Sequence, residues 1–148
     1  MLALKVVRLI EAHADALAER LVQRIRSSQH ITIYKDLPDN ELKELATDVY
    51  RHLGSWLMEK PEAEVERFFS FKAVRRAEQG VPLSDLVWAL MITKENLFRY
   101  IQANVEVQHA YELFGELEII QAIDQFFDKA IFFVAVAYEK TRGKVAVA

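Results

Sequence analysis

Two adjacent arginines, Arg75 and Arg76, are the side chains of this 148-residue sequence best suited to holding an anion. Glu78 and Gly80 follow them closely. A guanidinium presents forked donors that match a carboxylate, either on a partner protein or on an anionic ligand. The commoner explanation of such a pair is structural, because cations near a helix C-terminus offset the helix dipole and long side chains cover apolar surface. The sequence leaves both interpretations open.

Metal and haem chemistry have few candidate ligands. Glu106 and His109 match the Glu-x-x-His pattern of di-metal helical bundles once, and no second copy supplies the other half of such a site. The haem candidates, His13, His30, His52 and His109, are better explained as surface, packed or locally hydrogen-bonded side chains. The sequence therefore predicts no metal and no cofactor.

Catalytic machinery is not recognisable either. The chain has no cysteine, which excludes thiolate nucleophiles, disulfides and thiolate metal sites. The serines fall at turns and helix starts without a nucleophile elbow, and no glycine-rich phosphate loop occurs. We predict that the domain is not an enzyme; a small enzyme with an inconspicuous site would use Arg76, Glu78 and Asp85.

Glycine and proline mark the elements that must position these residues. The pattern predicts an all-α bundle of about five helices in a single domain, residues 1–148. The predicted elements are a helix from Leu2 to Ser28, a packed connector at Ile31–Tyr34, a helix starting near Asp39 with Gly54 inside it, a helix opened by Pro61 and ended by Gly80, a helix restarted by Val81-Pro82-Leu83-Ser84-Asp85, and a long last helix to about Arg142 followed by a fraying tail.

The last helix is apolar nearly all round from Ala130 onward. Such a helix is either enclosed by its own bundle or shared with a second molecule. We expect a homodimer through residues 110–138, because a domain of this size has difficulty surrounding a helix completely. The alternative is a central core helix in a globin-like monomer. Asp124, on the apolar seam, is expected to be hydrogen-bonded or partly exposed, and to pair with an arginine if it is buried. The predicted interface residues are Phe126, Ala130, Phe133 and Ala137.

Charge and hydropathy limit the partners. A formal net charge of -3 with mixed signs gives no positive field for nucleic acid. The densest apolar run, Ala130 to Tyr138, is far too short to cross a bilayer, so no membrane insertion is expected. The amino terminus is interrupted by Lys5 and Arg8 and is not read as a signal peptide. The absence of cysteine suits the cytoplasm.

The interhelical segment from Arg75 to Leu86 resembles the N-terminal domain of RsbT co-antagonist proteins of the RsbRD type. Members carry a similar Arg-Ala-x-x-Gly-[Val/Ile]-Pro-Leu-Ser segment, here with Gly80 and Pro82, after an acidic connector and an aromatic-rich helix start. The resemblance implies a helical, usually dimeric domain placed ahead of an output module such as a STAS domain or a histidine kinase. Related domains look like globins that have lost haem, and Arg76 stands where haem-binding sensors have the proximal histidine.

These observations predict a non-catalytic sensory or docking domain in bacterial signal transduction, of the stress-response or histidine-kinase type. It would act by shifting how its helices pack, on a signalling partner or a fused output domain. Since no output domain follows the last helix, we expect either an excised fragment or a protein that acts by docking. The alternative function is a helical bundle that binds a small ligand or metal.

Overall fold

The computed structural model describes residues 2–59, 61–104 and 110–147. Within these ranges the chain forms six α-helices and one short 3-10 helix, and no strand. The predicted all-α class is therefore confirmed. The helices are α1 (Leu2–Ala12), α2 (Ala14–Ser27), α3 (Asp39–Glu59), α4 (Glu62–Glu78), α5 (Leu83–Asn104) and α6 (Ala110–Val147), with the 3-10 helix at Tyr34–Asp36.

The first predicted helix is in fact two helices that meet at His13. The backbone of His13 leaves the helical region, with φ −113° and ψ 21°. Its N–H still donates to the Leu9 carbonyl at 3.1 Å, and its Nδ1 lies 3.0 Å from the same oxygen. The break lets α1 pack on α3 and α6 while α2 packs on α3 and α5. Since neither glycine nor proline occurs there, no residue type in the sequence indicated this break.

The other boundaries follow the residues that predicted them. Helix α3 begins at Asp39, and the carbonyl of Pro61 accepts the N–H groups of the first turn of α4. Gly80 ends α4 in the left-handed region at φ 80°. There the Val81 N–H donates to the Arg76 carbonyl at 3.0 Å and the Gly80 N–H to Ala77 at 3.1 Å, which is a Schellman motif. The predicted packed connector before Asp39 is also confirmed, because Ile31 and Tyr34 are buried.

Helix α6 packs most extensively against α4, and also contacts α5, α1 and α3. Aromatic rings fill the space where α3, α4 and α6 meet. The Trp56 ring stacks on Phe126 with centroids 5.6 Å apart, and Phe69 meets Phe126 edge-on at 5.8 Å. These contacts enclose the inner side of the last helix within its own chain.

The four residues predicted as a dimer interface lie on this inner side. Phe126, Ala130, Phe133 and Ala137 are each at most 8 % exposed in the single chain. α4 and its neighbours already cover their side chains in the single chain. A single chain does not test the predicted dimer; the side of α6 that faces outward carries Phe132, which is 63 % exposed.

Two further expectations about α6 can be compared with the structure. The helix continues to Val147, so the tail after Arg142 is helical where a frayed end was predicted. Asp124 is half-buried and accepts a hydrogen bond from Lys94 Nζ at 2.7 Å, which ties α6 to α5. Its partner is thus a lysine.

No helix in the described ranges has the length and apolarity needed to cross a membrane.

Candidate functional site

Arg76 is the most deeply buried basic side chain of the described ranges, at 3 % exposure. Its Nη1 donates to Gln79 Oε1 at 2.8 Å and lies 3.8 Å from Glu41 Oε2, while Nη2 reaches the Glu41 carbonyl at 3.4 Å. The guanidinium carbon lies 5.5 Å from the centre of the Tyr34 ring, a cation–π arrangement. Its Nε is buried without a hydrogen-bond partner in the described structure. The arginine is therefore well held, with one donor unused.

Glu41 supplies the carboxylate that the arginine pair was expected to bind. Arg75 Nη2 donates to Glu41 Oε1 at 2.9 Å, and Gln79 Nε2 adds contacts at 3.2 and 3.3 Å. The hydrogen bond from Arg75 is the main cause that holds the pKa of Glu41 below its ordinary value; partial burial opposes it, and Arg76 and Gln79 assist. The anion gripped by these arginines thus belongs to the chain itself.

Asp85, in the first turn of α5, is buried at 1 % exposure and holds the connector between α2 and α3. Its carboxylate accepts the backbone N–H groups of Thr32, Ile33 and Tyr34 at 3.1, 2.9 and 3.0 Å. The Thr32 hydroxyl donates to it at 3.0 Å. Both carboxylate oxygens are therefore occupied by donors, which is the condition under which a buried charge is tolerated.

Tyr34 joins these two contacts into one site. Its ring faces Arg76, and its backbone N–H binds Asp85. Burial raises the pKa of the Tyr34 phenol, and the neighbouring Arg76 partly offsets that rise. The polar junction, which we define as Tyr34, Glu41, Arg75, Arg76, Gln79 and Asp85, thus fastens the connector to the start of α3, the end of α4 and the start of α5.

The structure sorts the residues singled out in the sequence. Arg75 and Arg76 lie in the polar junction, and Gly80 makes the turn that follows it. Pro82 precedes α5, and its carbonyl accepts the Asp85 N–H at 3.1 Å. Glu78 is exposed and makes no hydrogen bond or ion pair within the described residues.

Sequence reasoning missed Glu41 and Tyr34. Glu41 is an acid in the first turn of α3, and no spacing in the sequence pairs it with an arginine 35 residues away.

A small cavity adjoins the buried arginine. Its lining is apolar apart from Tyr34, Lys72, Arg76 and Thr93, and its volume is about 40 Å³. The apolar part of the wall comes from α2, α3, α4, α5 and α6, with Leu21, Leu42, Phe69, Leu90 and Val134 as representatives.

A second buried polar contact, away from the junction, links three helices. Asn96 Nδ2 donates to the Leu17 carbonyl at 3.1 Å and to the Tyr50 hydroxyl at 3.1 Å. That hydroxyl donates in turn to the Thr93 carbonyl at 2.9 Å. Burial is the main cause that raises the pKa of Tyr50 well above its usual range. Because its hydroxyl is occupied by these hydrogen bonds, Tyr50 has a structural role in the packing of α2, α3 and α5.

The chemistry of the polar junction is static charge pairing. Asp85 has no free lone pair directed at a substrate, and Glu41 is committed to Arg75. In the described ranges, no three His, Asp or Glu side chains come together to hold a metal ion. The Glu106 and His109 pattern lies outside the described residues. The arrangement is suited to fixing helix ends and to presenting one buried cation to a cavity.

Comparison with known proteins identifies a family that the chain matches. A family model described as RsbT co-antagonist protein rsbRD N-terminal domain matches residues 15–148. That range contains the whole polar junction, α2 from Asp15 onward, all of α3 to α6, and the interhelical segment whose residues carried the resemblance. No curated protein and no solved structure matches the chain significantly.

Proposed function

The chain belongs to the family of RsbT co-antagonist protein rsbRD N-terminal domains, a stress-response signalling family, and from this premise we propose that it is a non-catalytic bacterial input domain. The family match over residues 15–148 is the observation that carries the proposal. The domain would receive a stimulus in the cytoplasm and act on a signalling partner or a fused output module. The target implied by the family description is RsbT.

The polar junction supports a mechanism for such a domain. It fixes the facing ends of α4 and α5, and the Tyr138 hydroxyl donates to the Val81 carbonyl in the loop between them at 2.8 Å. The last helix is therefore tied to the same corner that holds Arg76 and Asp85. A change at this corner would shift α6 against α4, and packed helix interfaces move between discrete arrangements rather than deform continuously.

A homodimer through the outward side of α6 completes the proposal. Phe132 and Leu117 are exposed there, and Ile131 and Val136 are only half-buried. A second copy covering this side would bring two last helices together. A shift of α6 within each protomer would then change the spacing of the paired helices, and hence of an attached output module.

The proposal is tested in the host cell with a stress-responsive transcription reporter. Deleting the gene should change the amplitude or threshold of the response, and the wild-type gene should restore it. Tyr138→Phe, which removes only the tie between α6 and the α4–α5 loop, should restore it incompletely. Tyr100→Phe is the matched control, because Tyr100 is a buried tyrosine whose hydroxyl makes no hydrogen bond within the described residues. A reporter that deletion leaves unchanged under every stress applied would overturn the proposal.

A further inference from the structure

A groove away from the polar junction lies where the end of α3 and the start of α4 meet the middle of α6. Its volume is about 390 Å³. A cavity of about 150 Å³ accommodates a single benzene ring, and small-molecule sites begin at roughly 300 Å³. Glu62 and Gln125 line the groove and are exposed, so it opens to solvent. The groove is therefore large enough for an aromatic ring together with a polar head group.

The inner wall of this groove is aromatic. Trp56, Phe126 and Phe133 line it, and each is at most 8 % exposed. The rings of Trp56 and Phe126 are stacked, with 19° between their planes. Leu57 and Val65 add aliphatic surface to the wall. Because aromatic rings gain from stacked and edge-on contacts with one another beyond the burial of apolar area, this wall favours an aromatic guest.

One cation and one anion line the same groove. Lys129 of α6 and Glu62 of α4 are 60 % and 63 % exposed in their side chains. Lys129 Nζ and Glu62 Oε1 lie 3.8 Å apart, which is longer than a hydrogen bond. Within the described residues neither group makes a hydrogen bond, so the ammonium keeps its donors and the carboxylate its acceptors for a ligand. The groove thus offers both signs of charge beside an aromatic wall.

We propose that the groove binds a free aromatic amino acid. The ring lies against Trp56 and Phe126, the carboxylate pairs with Lys129, and the ammonium pairs with Glu62. An α-amino acid carries its two charges on one carbon, so a single head group meets both members of this loose ion pair. A simple amine or carboxylate satisfies only one of them, and a residue within a peptide has neither charge. Binding is independent of the proposed function; the site rests on that function only in making the amino acid the stimulus, which contacts α4 and α6.

L-Phenylalanine is the probe, and the fluorescence of Trp56 is the readout. The chain has two tryptophans, so Trp88→Phe leaves Trp56 as the only one. Phenylalanine does not absorb where tryptophan is excited, so it does not obscure the signal. We expect a saturable change in fluorescence and, for the wild type, a rise in Tm, since a ligand that binds only the folded state stabilises it. No saturable response at millimolar phenylalanine overturns the proposal.

Three analogues test which parts of the ligand are recognised. Phenethylamine lacks the carboxylate, 3-phenylpropionate lacks the ammonium, and L-alanine lacks the ring. Because exposed ion pairs contribute modestly, we expect each of the first two to bind at least about three-fold more weakly than phenylalanine. Alanine should bind at least about ten-fold more weakly, because it loses the apolar contact. Equal binding of any of the three contradicts the proposal.

Charge variants assign the two ends of the head group. Lys129→Gln should remove the preference for phenylalanine over phenethylamine, and Glu62→Gln should remove the preference over 3-phenylpropionate. Lys140→Gln and Glu64→Gln are the controls, because both residues are exposed and neither lines the groove. They should leave both preferences unchanged. All four positions are exposed, so the folded state should persist in each variant. Preferences that survive Lys129→Gln and Glu62→Gln would refute the assignment.

A filled groove tests the location. Ala122→Phe adds a ring at a half-buried position that lines the groove, whereas Ala103→Phe adds it at an exposed position of α5, which has no part in the wall. Ala122→Phe should lose phenylalanine binding while its circular dichroism stays helical, and Ala103→Phe should bind as the wild type does. Unchanged binding in a folded Ala122→Phe protein would place phenylalanine elsewhere. If Ala122→Phe does not fold, the charge variants decide.

The ligand and the signalling role fail separately. Absence of phenylalanine binding with an intact reporter phenotype removes only this inference. Phenylalanine binding with no reporter phenotype on deletion removes the signalling role and leaves the site.

Discussion

Arg76 shows how a single buried cation is tolerated in this fold. Burying a guanidinium carries a desolvation cost that a counterion and hydrogen bonds must offset. Glu41, Gln79 and the Tyr34 ring supply these contacts from three different elements. The contacts of the Arg76 side chain therefore depend on the relative position of the connector, α3 and α4. Any movement of these elements changes its surroundings.

Glu41→Gln tests this ion pairing through its pH dependence. The pKa of Glu41 is lowered from an ordinary value of 4.5, mainly by Arg75. A depressed pKa in the folded state stabilises the protein above the unfolded-state pKa, and this stabilisation is lost as pH falls through the folded-state pKa. We expect the wild type to exceed Glu41→Gln in free energy of unfolding at pH 7. Urea titrations should show the difference narrowing below about pH 4.5; a constant difference down to strongly acidic pH would contradict this.

Asp85→Ala tests the contact that holds the connector. Removing the carboxylate leaves the N–H groups of Thr32, Ile33 and Tyr34 without their acceptor. The hydrogen bond of the Tyr34 N–H is buried and those of Thr32 and Ile33 are part-buried. Because an unsatisfied buried donor costs about 1–3 kcal/mol and such costs are not additive, we expect the free energy of unfolding to fall by about 3 kcal/mol. Asp128→Ala, at an exposed position of α6, should change it by less than about 0.5 kcal/mol. Equal effects of the two variants in urea denaturation would refute the structural role of Asp85.

Helix ends were predictable where a residue type dictates the backbone, and not where packing does. Gly80 and Pro61 mark the limits of α4 because one permits a positive φ and the other cannot continue a helix. The break at His13 follows from how α1 and α2 pack on different helices, so no local signal announces it. The sequence of α6 had a similar limit. Its apolar residues on all sides indicated that the helix is buried, but not whether its own chain or a second molecule buries it.

Gly54 and Gly143 are a matched pair of helical glycines for which we predict opposite outcomes. A Cβ at Gly54 in α3 would overlap Val7 Cγ1 and Glu11 Oε1 of α1, whereas one at Gly143 in α6 meets nothing within 4 Å. Gly54→Ala should lower the free energy of unfolding by about 1–2 kcal/mol, because overpacking outweighs the gain in helix propensity. Gly143→Ala should raise it by up to about 1 kcal/mol. Thermal or urea unfolding measures both, and a stabilised Gly54→Ala protein would show that α1 does not pack closely on α3.

The tertiary arrangement decided what the sequence left open at the site. Arg75 and Arg76 were recognisable as an anion-binding pair, yet their carboxylate lies on another helix, 34 and 35 residues earlier in the chain. Asp85 reaches a connector more than fifty residues away. Neither contact follows from a repeating pattern or a fixed spacing in the sequence, because both depend on where the connector crosses the helix ends. The resemblance to the family identified the interhelical segment from Arg75 to Leu86. The tertiary structure shows which residues that segment contacts.

The outward side of α6 yields the prediction that concerns the whole molecule. The inner side is covered by α4, α5 and α1, so an interface between two copies must use Phe132, Leu117 and their neighbours. At tens of micromolar, sedimentation equilibrium should give a dimer for the wild type. Phe132→Glu should raise the dissociation constant at least ten-fold, which corresponds to about 1.4 kcal/mol, because a symmetric interface buries the new charge twice.

Met58→Glu is the control, since Met58 is 61 % exposed and belongs to α3, not to the helix that forms the proposed interface. It should leave the dissociation constant within about two-fold of the wild type, because an exposed substitution outside the interface changes stability and association little. Both variants should keep the helical circular dichroism of the wild type, so that loss of dimer cannot arise from unfolding. A wild type that is monomeric at these concentrations, or a Phe132→Glu protein that still dimerises as tightly, would mean that α6 carries its signal within one chain.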